Sequence, residues 1–220
     1  MVLKMTLELL NKEYDKLQNI YGSTELDSIK NGGCINNPDI CFVFMNPTGR
    51  NIATSKDWDG PKSPWIGTKN VWNLFYELKL IKKNTYEEIK RIKGSEWTKE
   101  FALKVYQDIT EKKTYITNLA KCTQVDARPL KDEVFQNYLE LFFKEIEIVN
   151  PKVIILFGNQ VSSIFLNEKI SVSLTRKKLF QKEINNKVFD CYAVYYPVGN
   201  GFFNIDKAIE DIKYIIKKYK

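Results

Sequence analysis

Apolar positions along the chain fall into two kinds of run. Ile40-Cys41-Phe42-Val43-Phe44-Met45, Tyr115–Leu119 and Val153–Phe157 are short and almost continuously apolar, and turn-forming residues bound them. Such runs predict strands of a parallel sheet covered on both faces. Lys178–Ile184 and Val188–Tyr196 flank Asn185-Asn186 and predict a hairpin. The other runs follow helical spacing. Residues 4–19 carry Leu7, Leu9, Leu10, Tyr14 and Leu17, and residues 69–81 carry Val71, Trp72, Leu74, Phe75, Leu78 and Leu80. Residues 130–149 form a further amphipathic stretch that Asn150-Pro151 closes, because proline cannot continue a helix. Val161–Leu166 and Ile205–Tyr219 complete the set. Residues 22–38 and Pro197 to Asn204 read as loops. The charged stretch 83–113 is helical in its second half, through Trp97, Phe101, Leu103, Val105 and Ile109, and reads as a helical excursion.

Strands alternating with helices predict crossover connections and an α/β fold. The expected architecture is a three-layer α/β/α arrangement around a central, mainly parallel four-stranded sheet. The 220 residues suit one domain, 1–220, with no repeat or linker.

Composition narrows the chemistry. There is no histidine, which removes Ser-His and Cys-His nucleophilic arrangements and the commonest zinc ligand. Cys34, Cys41, Cys122 and Cys191 form no C-x-x-C pair, and Cys41 and Cys191 sit in apolar runs as buried thiols. No metal site and no cofactor are expected. The net charge of +7 agrees with a polyanionic partner and equally with a solvated lysine-rich surface. Met1–Glu13 lacks the long apolar run of a signal peptide, and no stretch suits a membrane span. The expectation is a cytoplasmic monomer with reduced thiols that does not engage a membrane.

In open α/β sheets, ligands bind beyond the carboxyl ends of the strands. Here the strand candidates run into Asn46-Pro47-Thr48-Gly49, Asn118, Gly158-Asn159 and Tyr196-Pro197-Val198-Gly199-Asn200-Gly201. Met45-Asn46-Pro47-Thr48-Gly49 resembles the first catalytic motif of the uracil-DNA glycosylase superfamily, in the Asn-Pro form of its mismatch-specific and single-strand-selective branches. Pro64-Trp65-Ile66-Gly67 resembles the base-stacking segment of the iron–sulfur-bearing branch. Tyr115–Cys122 is similar to that branch's strand carrying the base-reading asparagine, and Asn150–Gly158 to its third core strand. Tyr196-Pro197-Val198 stands where the superfamily usually has His-Pro-Ser.

The resemblance implies a uracil-DNA glycosylase-like fold and a monofunctional glycosylase acting on uracil or a related deaminated base in single- or double-stranded DNA. It implies Asn46 and Tyr196 as catalytic residues, and Pro47, Trp65 and Asn118 as the base pocket. Thr48, Gly49, Gly199, Asn200, Gly201 and Phe202 would contact DNA. An asparagine offers a donor pair and an acceptor, so Asn118 could pair with a pyrimidine edge; its plainer reading is a turn residue. Asn46 could hold the attacking water, although Asn before Pro is also a common turn starter. Trp65 supplies a stacking face or core packing. Phe202 or Phe203 could wedge into the base stack or seat the last helix. Asp57 and Asp59 could activate water, or be solvated loop charges.

Two departures stand out. Tyr196 replaces the histidine that normally donates to the leaving base, which leaves rate and preferred base open. Cys122 matches one cluster ligand, but its expected partner position holds Phe135 and the N-terminal pair is absent, so no iron–sulfur cluster is expected. The alternative to a glycosylase is a non-catalytic nucleic-acid- or partner-binding protein on the same fold. An enzyme of free nucleosides is a further alternative, unsupported by any phosphate-binding glycine loop.

Overall fold

The computed structural model describes residues 5–127 and 130–219. The helices are α1 (Leu7–Tyr21), α2 (Asn70–Glu77), α3 (Lys83–Arg91), α4 (Lys99–Glu111), α5 (Asp132–Val149), α6 (Gly158–Leu166) and α7 (Ile205–Tyr219). The strands are β1 (Asn31–Gly33), β2 (Ile40–Phe44), β3 (Thr114–Asn118), β4 (Val153–Phe157), β5 (Phe180–Ile184) and β6 (Lys187–Val194), in one sheet of order β1-β3-β2-β4-β6-β5.

The expected four strands are β3, β2, β4 and β6, and all their mutual pairings are parallel. The sheet has six strands rather than four because an antiparallel strand is added at each edge. One of them, β1, lies inside the stretch 22–38 that reads as loop. Its Asn-Gly-Gly composition carries no strand signal, and pairing with Thr117, Ile116 and Tyr115 of β3 alone makes it a strand. Gly32 lies in this edge strand because a Cβ there would fall 2.0 Å from the Tyr106 ring. At the other edge, Asn185 and Asn186 take φ of 48° and 65° between paired Ile184 and Lys187, the double left-handed turn that matches hairpin twist.

Every residue of β2, β3 and β4 is buried, and alternate residues serve opposite layers. Phe42, Phe44, Ile155 and Phe157 belong to a core shared with α2, α3, α4 and α7. Cys41, Val43, Ile154 and Leu156 belong to a second core shared with α1, α5 and α6. Period-two alternation thus feeds two hydrophobic layers, which explains why these strands read as unbroken apolar runs. The expected helix 69–81 stops earlier, where Lys79 turns left-handed and the Leu80 N–H returns to the Phe75 carbonyl. The excursion 83–113 is two helices rather than one; Thr98 caps the second by accepting from the Phe101 N–H.

The second core contains a charged pair. Lys121 and Glu145 are both fully buried, with the ammonium 2.9 and 3.0 Å from the two carboxylate oxygens. Glu145 also accepts from the hydroxyls of Tyr14 (2.7 Å), Tyr115 (2.9 Å) and Thr117 (2.6 Å). Lys121 donates further to Thr117 Oγ1 and to the Asn118 carbonyl. Burial pushes the Lys121 ammonium below its ordinary range, and Glu145 opposes the fall. Removing one partner of such a pair strands the other charge in the core, so Lys121→Met should cost about 3–5 kcal/mol. A urea-unfolding difference below about 1 kcal/mol, the level of an exposed ion pair, would contradict this account.

Candidate active site

The carboxyl ends of the four parallel strands open into one cavity of about 910 Å³, within the usual size of ligand sites. Met45–Thr48 enter it after β2, Asn118 at the end of β3, Gly158–Gln160 after β4, and Tyr196, Val198, Gly199 and Gly201 after β6. The segment from Pro64 to Val71 closes the remaining side, contributing Pro64, Trp65 and Gly67–Val71. Asn46, Pro47, Thr48, Trp65, Asn118 and Tyr196 therefore meet around one space although up to 150 residues separate them in sequence.

Fully buried aromatic rings lie behind the lining. Phe44 and Phe157 stack with centroids 4.3 Å apart, and Trp65 and Tyr196 meet Phe44 edge-on at 5.0 and 6.1 Å. Trp65 takes φ +67°, a rare conformation for a bulky residue that costs on the order of 1–3 kcal/mol. Its carbonyl is held by the Thr68 N–H, the Thr68 hydroxyl and the Trp72 indole, and its own Nε1 is buried without a protein partner.

Asn118 is 2 % exposed, and its Oδ1 likewise has no protein partner. The Lys121 ammonium grips its carbonyl at 2.7 Å, so the residue is pinned through its backbone while the amide stays uncommitted. A buried acceptor without a partner is costly, and a ligand offering a donor would relieve it. Asn46 donates from Nδ2 to the Pro47 carbonyl at 3.1 Å, which leaves Oδ1 to accept from a water or ligand. Burial drives the Tyr196 phenol above its ordinary value, against a backbone hydrogen bond with Met45, so the hydroxyl is protonated throughout the neutral range.

In the sequence Gly158-Asn159 reads only as a strand-end turn, and Gln160, Arg50, Asn51, Lys69 and Asn70 carry no local signal of a site. All line the cavity. α2 and α6 both start there, and neither has a side-chain cap on its first turn. Two uncapped helix N-termini with Arg50 and Lys69 make the rim electropositive. Among the described residues, no Asp or Glu lines the cavity. Asp57 and Asp59 are exposed and outside the lining, which agrees with solvated loop charges.

The expected DNA contacts divide. Thr48, Gly199 and Gly201 line the cavity. Gly49 does not: its N–H bonds the Gln124 carbonyl and a Cβ there would sit 3.1 Å from the Val125 carbonyl, so it backs the wall. Asn200 lies in the 3-10 turn Gly199–Asn204, and its side chain lies outside the described residues. Phe202 and Phe203 lie within that turn at 51 % and 91 % exposure, so Phe203 stands in solvent while Phe202 keeps half its surface covered.

The residues do not fit an iron–sulfur cluster. Cys122 and Phe135 are both fully buried in the second apolar core, where an aromatic ring occupies the position a second thiolate would need. No three His, Cys, Asp or Glu converge as metal ligands among the described residues. Burial raises the Cys122 thiol, the opposite of what a ligating thiolate requires.

A mixed α/β sheet whose parallel strands run into one electropositive cavity at their carboxyl ends has the ligand-binding arrangement of open α/β proteins. The model of the uracil DNA glycosylase superfamily matches residues 31–205, and the chain belongs to that superfamily. Its members are generally DNA glycosylases, hydrolases that act on DNA. No helix among the described residues is long and apolar enough to cross a membrane.

The loop after β6 yields a comparison of two glycines. A Cβ at Gly201 would come 2.0 Å from the Tyr196 carbonyl, whereas Gly199 has φ +60° but open space around it. Gly199→Ala should cost about 1 kcal/mol, from backbone conformation alone. Gly201→Ala should cost more and displace Tyr196. Equal shifts in the urea midpoint for the two variants would contradict this reading of the loop.

Proposed function

We propose that the protein hydrolyses the N-glycosidic bond of uracil, or of a related deaminated base, after the nucleotide has flipped out of DNA. The observation that carries the reading is the convergence of Asn46, Trp65, Asn118 and Tyr196 on one cavity that holds no carboxylate among the described residues. The flipped base stacks on Trp65, and such stacking is worth about 1–3 kcal/mol per base. Asn118 pairs with the Watson–Crick edge, and its unsatisfied Oδ1 selects a base that presents a ring N–H. Pro47 shapes the adjoining wall.

Without a carboxylate or histidine to take a proton, bond breaking runs ahead of water attack. The C1′–N bond cleaves with its electron pair going to the base, and Tyr196 donates a hydrogen bond to the base oxygen as negative charge grows there. Asn46 Oδ1 holds the water that adds to the sugar carbon, and that water's proton passes to solvent. The products are the free base, protonated from solvent, and an abasic site. The uncapped starts of α2 and α6, with Arg50, Lys69 and the glycines Gly199 and Gly201, receive the flanking phosphates. Phe202 or Phe203, both exposed, fills the gap left in the stack.

Tyr196 in the usual histidine position supports a second reading, a base-binding module that has lost catalysis. Incubation with uracil-bearing single- and double-stranded oligonucleotides, followed by alkaline cleavage of abasic sites, separates the two. Strand scission is expected, whereas salt-sensitive binding without scission on any deaminated base would leave only the module.

Asn118→Ala should abolish base release and retain weak, salt-sensitive DNA binding; an unchanged single-turnover rate would refute the base-reading role. Tyr196→Phe should lower that rate by roughly 10²-fold, the loss typical of one preorganised donor. The chain has no histidine and the Tyr196 phenol is raised, so its donor form persists as pH climbs through the ordinary tyrosine value of about 10. The single-turnover rate should therefore be flat between about pH 6 and 9. A bell-shaped profile within that window would show that another group carries the proton transfer.

A further inference from the structure

The excursion made by α3 and α4 contributes nothing to the cavity lining, yet it holds the segment that does. From Ser63 to Ile66 every carbonyl is bonded. Asn51 Nδ2 donates to Ser63 O (2.9 Å), the Tyr106 hydroxyl to Pro64 O (2.5 Å), Trp72 Nε1 to Trp65 O (3.2 Å) and the Ile52 N–H to Ile66 O (3.0 Å). Tyr106 lies on α4 and is buried, and its ring packs edge-on against Trp72 at 6.0 Å and fills the space beside Gly32. Two more contacts from the excursion meet the same segment. Gly94 lies so close that a Cβ would come 2.4 Å from the Gly67 carbonyl, and the Lys90 carbonyl accepts from Lys69 Nζ at 2.7 Å.

We propose that Tyr106 is a positioning residue, whose hydroxyl fixes the Pro64 carbonyl and so holds the left-handed backbone that presents Trp65 to the base. The excursion thereby acts as an outer brace for the stacking platform. A left-handed tryptophan persists only where its surroundings over-determine it, and Tyr106 is the long-range donor to the carbonyl of the peptide unit that precedes it, that of Pro64, 42 positions away in sequence. The inference rests on the proposed stacking role of Trp65.

Tyr106→Phe keeps the ring and deletes one hydroxyl. The Trp65 indole N–H resonance, assigned by its loss in Trp65→Phe, should move or broaden in Tyr106→Phe while that of Trp58 stays in place. In single-turnover excision from a uracil-bearing oligonucleotide, the saturating rate should fall roughly 5- to 30-fold at an unchanged half-saturating DNA concentration. In a Trp65→Ala background the same substitution should have no further effect, because it acts through the indole. Gly94→Ala, which presses on the Gly67 carbonyl, should displace the same resonance and serves as the second variant. An unmoved Trp65 resonance, or an equal rate loss in the Trp65→Ala background, would overturn the proposal. Should the unmodified protein release no base, the glycosylase reading falls, and the resonance alone then decides whether Tyr106 positions the indole.

Discussion

Lys121 and Glu145 face one another with no solvent contact, and Tyr14, Tyr115 and Thr117 satisfy the carboxylate. Burying two ions is expensive, and it is tolerable only where geometry and extra hydrogen bonds compensate. The ring faces of Tyr14 and Phe142, each 5.1 Å from the ammonium, add to that compensation. This cluster ties α1, α5 and β3 at one point. Because the same ammonium holds the Asn118 carbonyl, the arrangement also sets where β3 ends and where the proposed base-reading amide stands. Packing of the second core and recognition in the cavity thus share one constraint.

The opposite layer handles a different constraint. Trp65 packs edge-on against Phe44, which stacks on Phe157, and its backbone takes an unfavourable conformation to do so. Donors from Asn51, Ile52, Trp72 and Tyr106 hold the surrounding carbonyls. Four strand ends and this braced segment enclose a space lined by amides, a phenol, an indole and backbone N–H groups. Chemistry in such a space depends on oriented dipoles rather than on proton shuttling, which suits departure of an anionic base. Histidine is absent from the chain, and no acidic residue lines the cavity among the described residues.

Much of this was legible from the chain. The continuous runs at Ile40–Phe44 and Val153–Phe157 are readable because strands buried on both faces need apolar residues at every position. Asn150-Pro151 and Asn185-Asn186 are readable because their backbone requirements are local. The strand-end motifs could be placed on one rim once a parallel sheet was inferred. β1 escaped notice because Asn31-Gly32-Gly33 becomes a strand only by pairing with β3. Phe202 and Phe203 read slightly better as an anchor for the last helix than as a wedge, since an aromatic pair carries no mark of its own exposure.

By itself, the sequence determined the layer order, the parallel core, the absence of histidine chemistry and the cluster of asparagine, proline and glycine at the strand ends. These follow from side-chain period, backbone stiffness and residue identity, all short-range properties. Only the tertiary structure decided that Lys121 is buried against Glu145, that Gly49 backs the wall rather than lining it, and that Tyr106 braces the Trp65 segment. Each depends on which distant segments meet. A lysine, a glycine or a tyrosine has the same local appearance whether it faces water, a carbonyl or a core, and the difference lies in partners 24 to 76 residues away in the chain.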